Sequence, residues 1–160
     1  LLNTGLRISE ALALNYEDID FAAKEIRVYK RLLHDGNRPV IQARTKTINS
    51  TRTVVLLDRV ADKMNKRGKG ILFANSAGEH YTKRQFATQW QKWQKRHNIS
   101  VTAHQLRHGF ATMLFEAGID LKDAQSLMGH SDIHTTHTIY THIRNRRKED
   151  TADKLNAFSF

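Results

Sequence analysis

Residues 101–118 read VTAHQLRHGFATMLFEAG, and they carry the local signals of a complete helix. Thr102 and Gln105 have the spacing of a capping box, in which each side chain bonds the backbone N–H of the other residue. Gly118 follows the last apolar residue of the helical pattern, where a glycine commonly ends a helix. We therefore predict a helix between Thr102 and Gly118.

Further helical patterns lie on both sides of this segment. Residues 82–97 place Phe86, Trp90 and Trp93 on one helix face, which is more typical of a core stripe than of exposed rings that stack on bases. The opposite face of that helix carries basic residues that could contact phosphates or simply be solvated: Lys92, Lys95 and Arg96. After residue 118 we predict helices from Asp120 to Gly129, after Ser131, and over the polar segment 145–158.

The first third of the chain predicts a short helix followed by strands. Ile8, Ala11 and Leu12 have helical spacing, which indicates a helix from about Arg7 to Tyr16. Residues 25–33, 39–44 and 52–57 are typical of strands and are separated by turn-forming segments. The predicted fold class is therefore α+β, a mostly helical domain with a small three-stranded antiparallel sheet.

Composition narrows the class of partner. The 160 residues are enough for one domain, and the formal net charge of +10 favours a polyanion over a merely soluble basic surface. No helix has a broad apolar face, so a membrane surface is disfavoured. The absence of cysteine excludes disulfides and thiolate metal sites, and it makes a cytoplasmic setting the default. The start, LLNTG, has neither Met nor leader, and we interpret it as a trimmed boundary.

A set of His, Arg and Tyr residues suggests phosphate chemistry. His104 and Arg107 share a face in the first turns of the predicted helix, where free backbone N–H groups favour an anion. Arg offers two parallel donors to phosphate oxygens, and His exchanges a proton near neutral pH. His130 lies in a turn between helices, and Tyr140 follows ten residues later. A tyrosine hydroxyl needs nearby cations and a proton acceptor before it acts as a nucleophile.

Two other interpretations of these residues remain open, a purely structural role and a zinc site. Arg107 could be a surface residue and His104 a structural one, while Tyr140 could simply pack on an amphipathic helix. His130 and His134 have the i, i+4 spacing of a zinc pair, but the Gly129-His130-Ser131 break argues against one helix carrying both. We expect no metal and no cofactor.

Taken together, these motifs resemble the tyrosine recombinase family, which includes phage and transposon integrases and Xer-type resolvases. Four segments, in family order, carry the resemblance: TGLRISEALALNYEDID at 4–20, TKTINSTRTVVL at 45–56, HQLRHGFAT at 104–112 and MGHSDIHTTHTIYTH at 128–142. They resemble the first Arg box, the Lys hairpin, the His-x-x-Arg box and the Gly-His box that runs to the nucleophile. In this family a further helix and a DNA-clamping domain normally precede the first box, so the resemblance implies that residues 1–160 are a catalytic domain lacking both.

The resemblance implies a role for each of six residues. Arg7 and Arg107 would hold the non-bridging oxygens of the scissile phosphate, and His130 would donate a hydrogen bond to it. His104 would accept the proton of Tyr140, which would attack to form a 3′-phosphotyrosine link. Lys46 would protonate the leaving 5′ oxygen, although Arg44 or Arg52 could be confused with it. His108 is turned about 100° from Arg107 on the predicted helix, and we interpret it as structural.

The function implied is site-specific DNA recombination or integration, as in mobile elements, without ATP or metal. The expected partners are double-stranded DNA at specific sites, a homotetramer on that DNA and accessory directionality proteins, with chromosomal or phage DNA in the cytoplasm as the setting. Ala152, Leu155 and Phe158 form an apolar stripe on the tail, which would dock on a neighbouring protomer or pack in cis. The alternatives are a type IB topoisomerase, a DNA-binding module without catalysis and a metal-dependent nuclease.

Overall fold

The computed structural model describes residues 1–43, 51–64 and 66–129, and beyond them 137, 138, 140, 141, 143, 144, 148 and 154–157. The α-helices described over their full length are α1 (Ile8–Ala11), α2 (Asp58–Ala61), α3 (Lys83–His97), α4 (Ala103–Glu116) and α5 (Leu121–Met128). The described residues between 137 and 156 are also helical. The strands are β1 (Ile19–Asp20), β2 (Glu25–Val28), β3 (Lys30–Asp35), β4 (Arg38–Ala43) and β5 (Arg52–Val55). The expected α+β class with a small antiparallel sheet is confirmed.

The strands form two antiparallel units rather than one continuous sheet. Strand β2 lies between β1 and β5, while β3 pairs with β4 alone. The predicted strand over 25–33 is therefore two strands that meet at Tyr29 and have different partners. The alternation of buried residues continues across this break, through Ile26, Val28, Lys30 and Leu32. The alternation predicted for a single strand is therefore observed, but β2 and β3 pair with different strands.

The helix predicted from Arg7 to Tyr16 is shorter than expected. Helix α1 ends at Ala11, and a separate 3₁₀ turn spans Tyr16–Asp18. Between them the backbone pairs with a distant segment: Leu72 donates its N–H to the Leu14 carbonyl at 2.9 Å. An apolar run that packs on one side can satisfy its backbone in this way as well as in a helix. This pairing explains the early end.

Helices α4 and α5 have the predicted ends. The Thr102 hydroxyl accepts from the Gln105 N–H at 3.1 Å, and the Gln105 side chain accepts from the Thr102 N–H at 2.7 Å. Gly118 follows α4 with φ +74°, and Gly129 follows α5 with φ +60°. The two helices pack through a core of Phe110, Ala111, Leu114, Ala124 and Met128. This cluster is distinct from the core around β2 and β5.

The aromatic stripe of α3 is partly buried and packs within the chain. The Trp90 ring lies 5.8 Å from Phe86 and 5.1 Å from Trp93, measured between centroids. The Trp90 indole N–H donates to the Val101 carbonyl at 3.2 Å, and Phe86 packs on the Leu12 and Leu32 cluster. The interpretation as packing residues therefore fits better than base stacking. The basic residues Lys92, Lys95 and Arg96 are exposed.

Among the residues described, no helix combines the length and the apolar character needed to cross a lipid bilayer.

Candidate active site

Arg107 is a buried cation that ties three segments together. It lies in the second turn of α4 and is only 4% exposed. One terminal nitrogen, Nη1, donates to the Gly5 carbonyl, and the other, Nη2, donates to the Met128 carbonyl at 2.5 Å. A buried guanidinium is stable only when its donors are bonded. Carbonyls that precede α1 and end α5 fix Arg107 in place.

Arg7 meets the same end of α5 from the other side. It is the residue before α1, and its Nη2 donates to the Gly129 carbonyl at 3.2 Å. Its side chain is 38% exposed, in contrast to that of Arg107. The two arginines therefore bond the carbonyls of consecutive residues, Met128 and Gly129. The structure brings these two predicted site residues together, with one guanidinium buried and the other open to solvent.

Glu10 is the carboxylate that orders this pair, although the sequence reasoning did not single it out. It is fully buried, and its Oε2 accepts from the Arg7 backbone N–H at 2.8 Å while its Oε1 accepts from Arg7 Nη1 at 3.1 Å. Burial alone raises the pKa of Glu10, but hydrogen bonds and charge from Arg52 and then Arg7 outweigh it and lower the pKa to about 2. Glu10 is therefore ionised throughout the neutral range.

A second arginine binds the same carboxylate. Arg52, the first residue of β5, donates from Nη1 to Glu10 Oε1 at 3.0 Å and from Nη2 to Oε2 at 2.8 Å. This is the forked geometry that Arg forms with carboxylates. Arg52 is thus engaged inside the protein, which weakens its candidacy for the leaving-group acid. Lys46 and Arg44, the other candidates, lie outside the described residues.

His104 and His108 form a contacting pair on one face of α4. Their Nε2 atoms are 2.7 Å apart, and the rings meet edge to face with centroids 4.3 Å apart. Two ring nitrogens at this distance require one to carry the proton and the other to accept it. Burial, followed by the charges of His104 and Arg107, lowers the pKa of His108. His108 therefore touches the predicted proton acceptor, a contact that the i, i+4 spacing could have signalled.

Tyr140 is held away from the two arginines in this conformation. Its hydroxyl donates to the Ile119 carbonyl at 3.2 Å, and its ring packs edge to face on Phe115 at 5.1 Å. Ile119 precedes α5, whereas Arg7 and Arg107 bond the residues at its other end, so about 12 Å of helix separates the two places. Burial, followed by the charge of Asp120, raises the pKa of Tyr140.

Two elements of the predicted set are outside the described part of the chain. They are Lys46 and His130, which directly follows Gly129. His134, the second residue of the zinc pair considered from the sequence, is also outside the described part. Among the residues that are described, no group of three or more His, Asp or Glu side chains has the arrangement of a metal site.

Comparison with known protein families agrees with the sequence motifs. The sequence profile described as the Phage integrase family matches residues 1–147. The chain belongs to this family.

Curated relatives within the phage integrase family carry recombinase names. Tyrosine recombinase XerC of Herpetosiphon aurantiacus is 35% identical over 149 residues, covering 92% of this chain and 47% of the relative. Tyrosine recombinase XerD of Halalkalibacterium halodurans is 34% identical, covering 94% of this chain and 49% of the relative. The chain thus spans about half the length of the curated relatives that it matches.

Solved structures of integrases share the fold. The integrase of transposon Tn1549, in complex with transposon right end DNA, superimposes with a TM-score of 0.74 at 28% identity, covering 98% of this chain and 56% of that chain. The XerA recombinase, at 22% identity and a TM-score of 0.66, supports the fold alone. The family resemblance carried by the four sequence motifs is therefore confirmed, and the chain is similar to tyrosine recombinases over 92–94% of its length.

Proposed function

We propose that this chain is the catalytic domain of a site-specific DNA recombinase that works through a 3′-phosphotyrosine intermediate, without ATP or metal. The observation that carries the proposal is the convergence of Arg7 and Arg107 on the end of α5. Two fixed guanidiniums concentrate positive charge where a phosphodiester would acquire negative charge during attack. A site of this kind supplies from side chains the charge stabilisation that other phosphoryl-transfer enzymes take from metal ions.

In the proposed reaction the Tyr140 oxygen attacks the scissile phosphorus, and the bond from phosphorus to the 5′ oxygen breaks. His104 takes the proton of Tyr140, and Lys46 gives a proton to the leaving 5′ oxygen. Arg7 and His130 hold the non-bridging oxygens, and so does Arg107 once its guanidinium, which is buried in this conformation, becomes accessible to the phosphate. A free 5′-OH of a partner strand then attacks the phosphotyrosine link in the reverse sense. One phosphoester bond replaces another at each step, so no nucleotide cofactor is required.

The position of Tyr140 implies a movement before cleavage. Its hydroxyl bonds Ile119, and burial raises its pKa, so it is a poor nucleophile there. Bringing the hydroxyl to the guanidiniums would lower its pKa by the charge of two cations and would bring it near a proton acceptor. We therefore propose that DNA binding displaces the Tyr140 ring from Phe115 and that the arginines then activate its hydroxyl.

The proposed partners are double-stranded DNA at specific sites, further copies of the chain on that DNA as a tetramer, and accessory directionality proteins. Net charge of +10 supports the DNA partner. Tail docking on a neighbouring protomer is supported by Leu155, which is 69% exposed in this single chain. Ala152 and Phe158 of the same stripe lie outside the described residues. We also propose that a DNA-clamping domain accompanies this catalytic domain in the full-length protein. The proposed substrate is cytoplasmic DNA.

The test is covalent trapping by the full-length protein on a nicked duplex, from which the cleaved 5′ fragment diffuses away. The wild type should form a protein–DNA band that resists denaturant, and Tyr140→Phe should form none while binding the same DNA. Loss of the Tyr140 bond to the Ile119 carbonyl should change the melting temperature by only a few degrees. A band that persists in the mutant would show that another residue is the nucleophile. A wild type that binds DNA without forming the band would refute the proposed reaction.

A further inference from the structure

Arg52 contacts the residues that hold Arg7. The sequence motifs offered it only as an alternative to Lys46, and the proposed reaction gives it no role. Its guanidinium bonds both oxygens of Glu10. Those same two oxygens receive the backbone N–H and the Nη1 of Arg7. A lysine at this position would offer one point of charge, whereas the planar fork of Arg52 fixes the rotation of the carboxylate group. The direction in which Glu10 holds Arg7 therefore depends on Arg52.

Arg52 also supports Arg7 from the side of Gly129. A Cβ added to Gly129 would lie 2.5–2.7 Å from Cδ, Nε and Cζ of Arg52, so the arginine stem rests directly on the glycine backbone. The Gly129 carbonyl accepts from Arg7 Nη2. Nε of Arg52 is buried here and has no hydrogen-bond partner among the described residues. Arg52 thus bonds the carboxylate that holds the Arg7 guanidinium, and it packs against the glycine whose carbonyl also holds it.

We infer that Arg52 is a positioning residue for strand exchange, which sets the Arg7 guanidinium against the scissile phosphate through Glu10 and Gly129. This inference rests on the proposed function of Arg7. Arg52 does not touch the DNA in this scheme, and its side chain is only 10% exposed. It acts by limiting the orientations of a neighbour that is itself accessible to the phosphate. Small displacements of a group that binds the reacting centre are costly, of the order of 100-fold in rate per ångström.

A positioning role of Arg52 can be distinguished from a role in folding alone, because only the positioning role predicts a defect that depends on the charge of the phosphate. Arg7 would stabilise negative charge on a non-bridging oxygen. A methylphosphonate has a methyl group in place of one such oxygen, so the diester loses its charge. A protein whose only defect is a misplaced Arg7 guanidinium should be much less impaired on that neutral substrate. A protein whose fold is damaged should be equally impaired on both substrates.

The experiment compares full-length Arg52→Lys and Arg52→Ala with the wild type on two nicked duplexes, one with a scissile phosphate and one with a methylphosphonate there. The matched control is Arg27→Lys, an exposed arginine one register position away, on strand β2, whose Nη2 donates to the Glu17 carbonyl. The rate of the covalent band, the affinity for DNA and the melting temperature are measured for each. Arg52→Lys retains the charge opposite Glu10 and is the deciding variant if Arg52→Ala does not fold.

We expect Arg52→Lys to form the phosphate-linked band about 10- to 100-fold more slowly than the wild type, with DNA affinity unchanged. On the methylphosphonate its deficit should shrink to about threefold or less, and Arg27→Lys should match the wild type on both. A wild-type rate for Arg52→Lys, equal deficits on the two substrates, or loss of its melting transition would each overturn the inference. A wild type that forms no Tyr140-dependent band would instead refute the proposed function, and the inference with it.

Discussion

Replacing Glu10 by Gln should remove a large, pH-dependent part of the stability of the domain. The wild-type carboxylate has its pKa lowered from 4.5 to about 2 because two arginines and a backbone N–H bond it. Each pH unit corresponds to about 1.4 kcal/mol, so ionised Glu10 contributes roughly 3 kcal/mol to the free energy of unfolding. Loss of one partner from a buried ion pair typically costs a similar amount, about 3–5 kcal/mol.

The sign of the pH dependence follows from the lowered pKa. The contribution of Glu10 is fully present above the ordinary pKa of 4.5 and is lost as pH falls towards 2. The difference in unfolding free energy between wild type and Glu10→Gln should thus be roughly 3 kcal/mol at pH 7 and about half that at pH 3. Subtracting the unfolding free energies of the two proteins cancels the contribution of the other carboxylates, which both proteins share.

Urea denaturation at several pH values measures this difference directly. Glu25→Gln is the control because Glu25 is an exposed carboxylate on β2, and it should differ from the wild type by less than about 0.5 kcal/mol at pH 7. A Glu10→Gln difference below about 1 kcal/mol at pH 7, or one that stays constant down to pH 3, would refute the assignment of Glu10 as a buried, ionised anchor.

Three further predictions concern the reaction, the α5 turn and the tail. Cleavage by the full-length protein should survive excess EDTA, and an activity lost with chelator and restored by Mg²⁺ or Zn²⁺ would revive a metal mechanism. Gly129→Ala should cost about 2–4 kcal/mol in urea denaturation, because φ is +60° and Arg52 fills the space. Gly36→Ala, at φ +57° with nothing nearby, should cost about 1 kcal/mol, and equal losses would contradict the Arg52 contact. Leu155→Ala should weaken tetramer assembly in gel shifts without lowering the melting temperature, compared with Lys154→Ala, and a large drop in that temperature would indicate packing in cis.

Local signals predicted the helical half of the fold well. The ends of α4 are determined by groups a few residues apart, the Thr102–Gln105 box and Gly118, so the sequence alone is sufficient to locate them. The β-strand pairing was harder to predict from the sequence, because the alternation of buried residues is the same whether or not β2 and β3 share a partner. Helix α1 ends early because of a bond to residue 72, which no local pattern contains.

The site shows the same difference between local motifs, which the sequence reveals, and long-range pairing, which it does not. Motif spacing found Arg7 and Arg107, and the structure brings them to consecutive carbonyls. Glu10 was not singled out, and Arg52 appeared only as a residue that could be confused with Lys46, because their pairing joins residues 42 positions apart. The charged Glu10 in the apolar run ISEALAL, three residues after Arg7, was the one signal available. The site roles of all six residues stay predictions: Arg7, Lys46, His104, Arg107, His130 and Tyr140.

The bonds that the two arginines make to Gly5 and Gly129 also determine when this site can form during folding. They join residues 102 and 122 positions apart, so each closes a loop of most of the domain. Contacts of such long range form late, after the entropy of loop closure has been overcome by other packing. A chain still emerging from the ribosome lacks the carbonyls of α5 and leaves both guanidiniums unassembled. A partly synthesised protein would therefore carry part of the positive charge proposed to attract DNA before it assembles the site proposed to cut it.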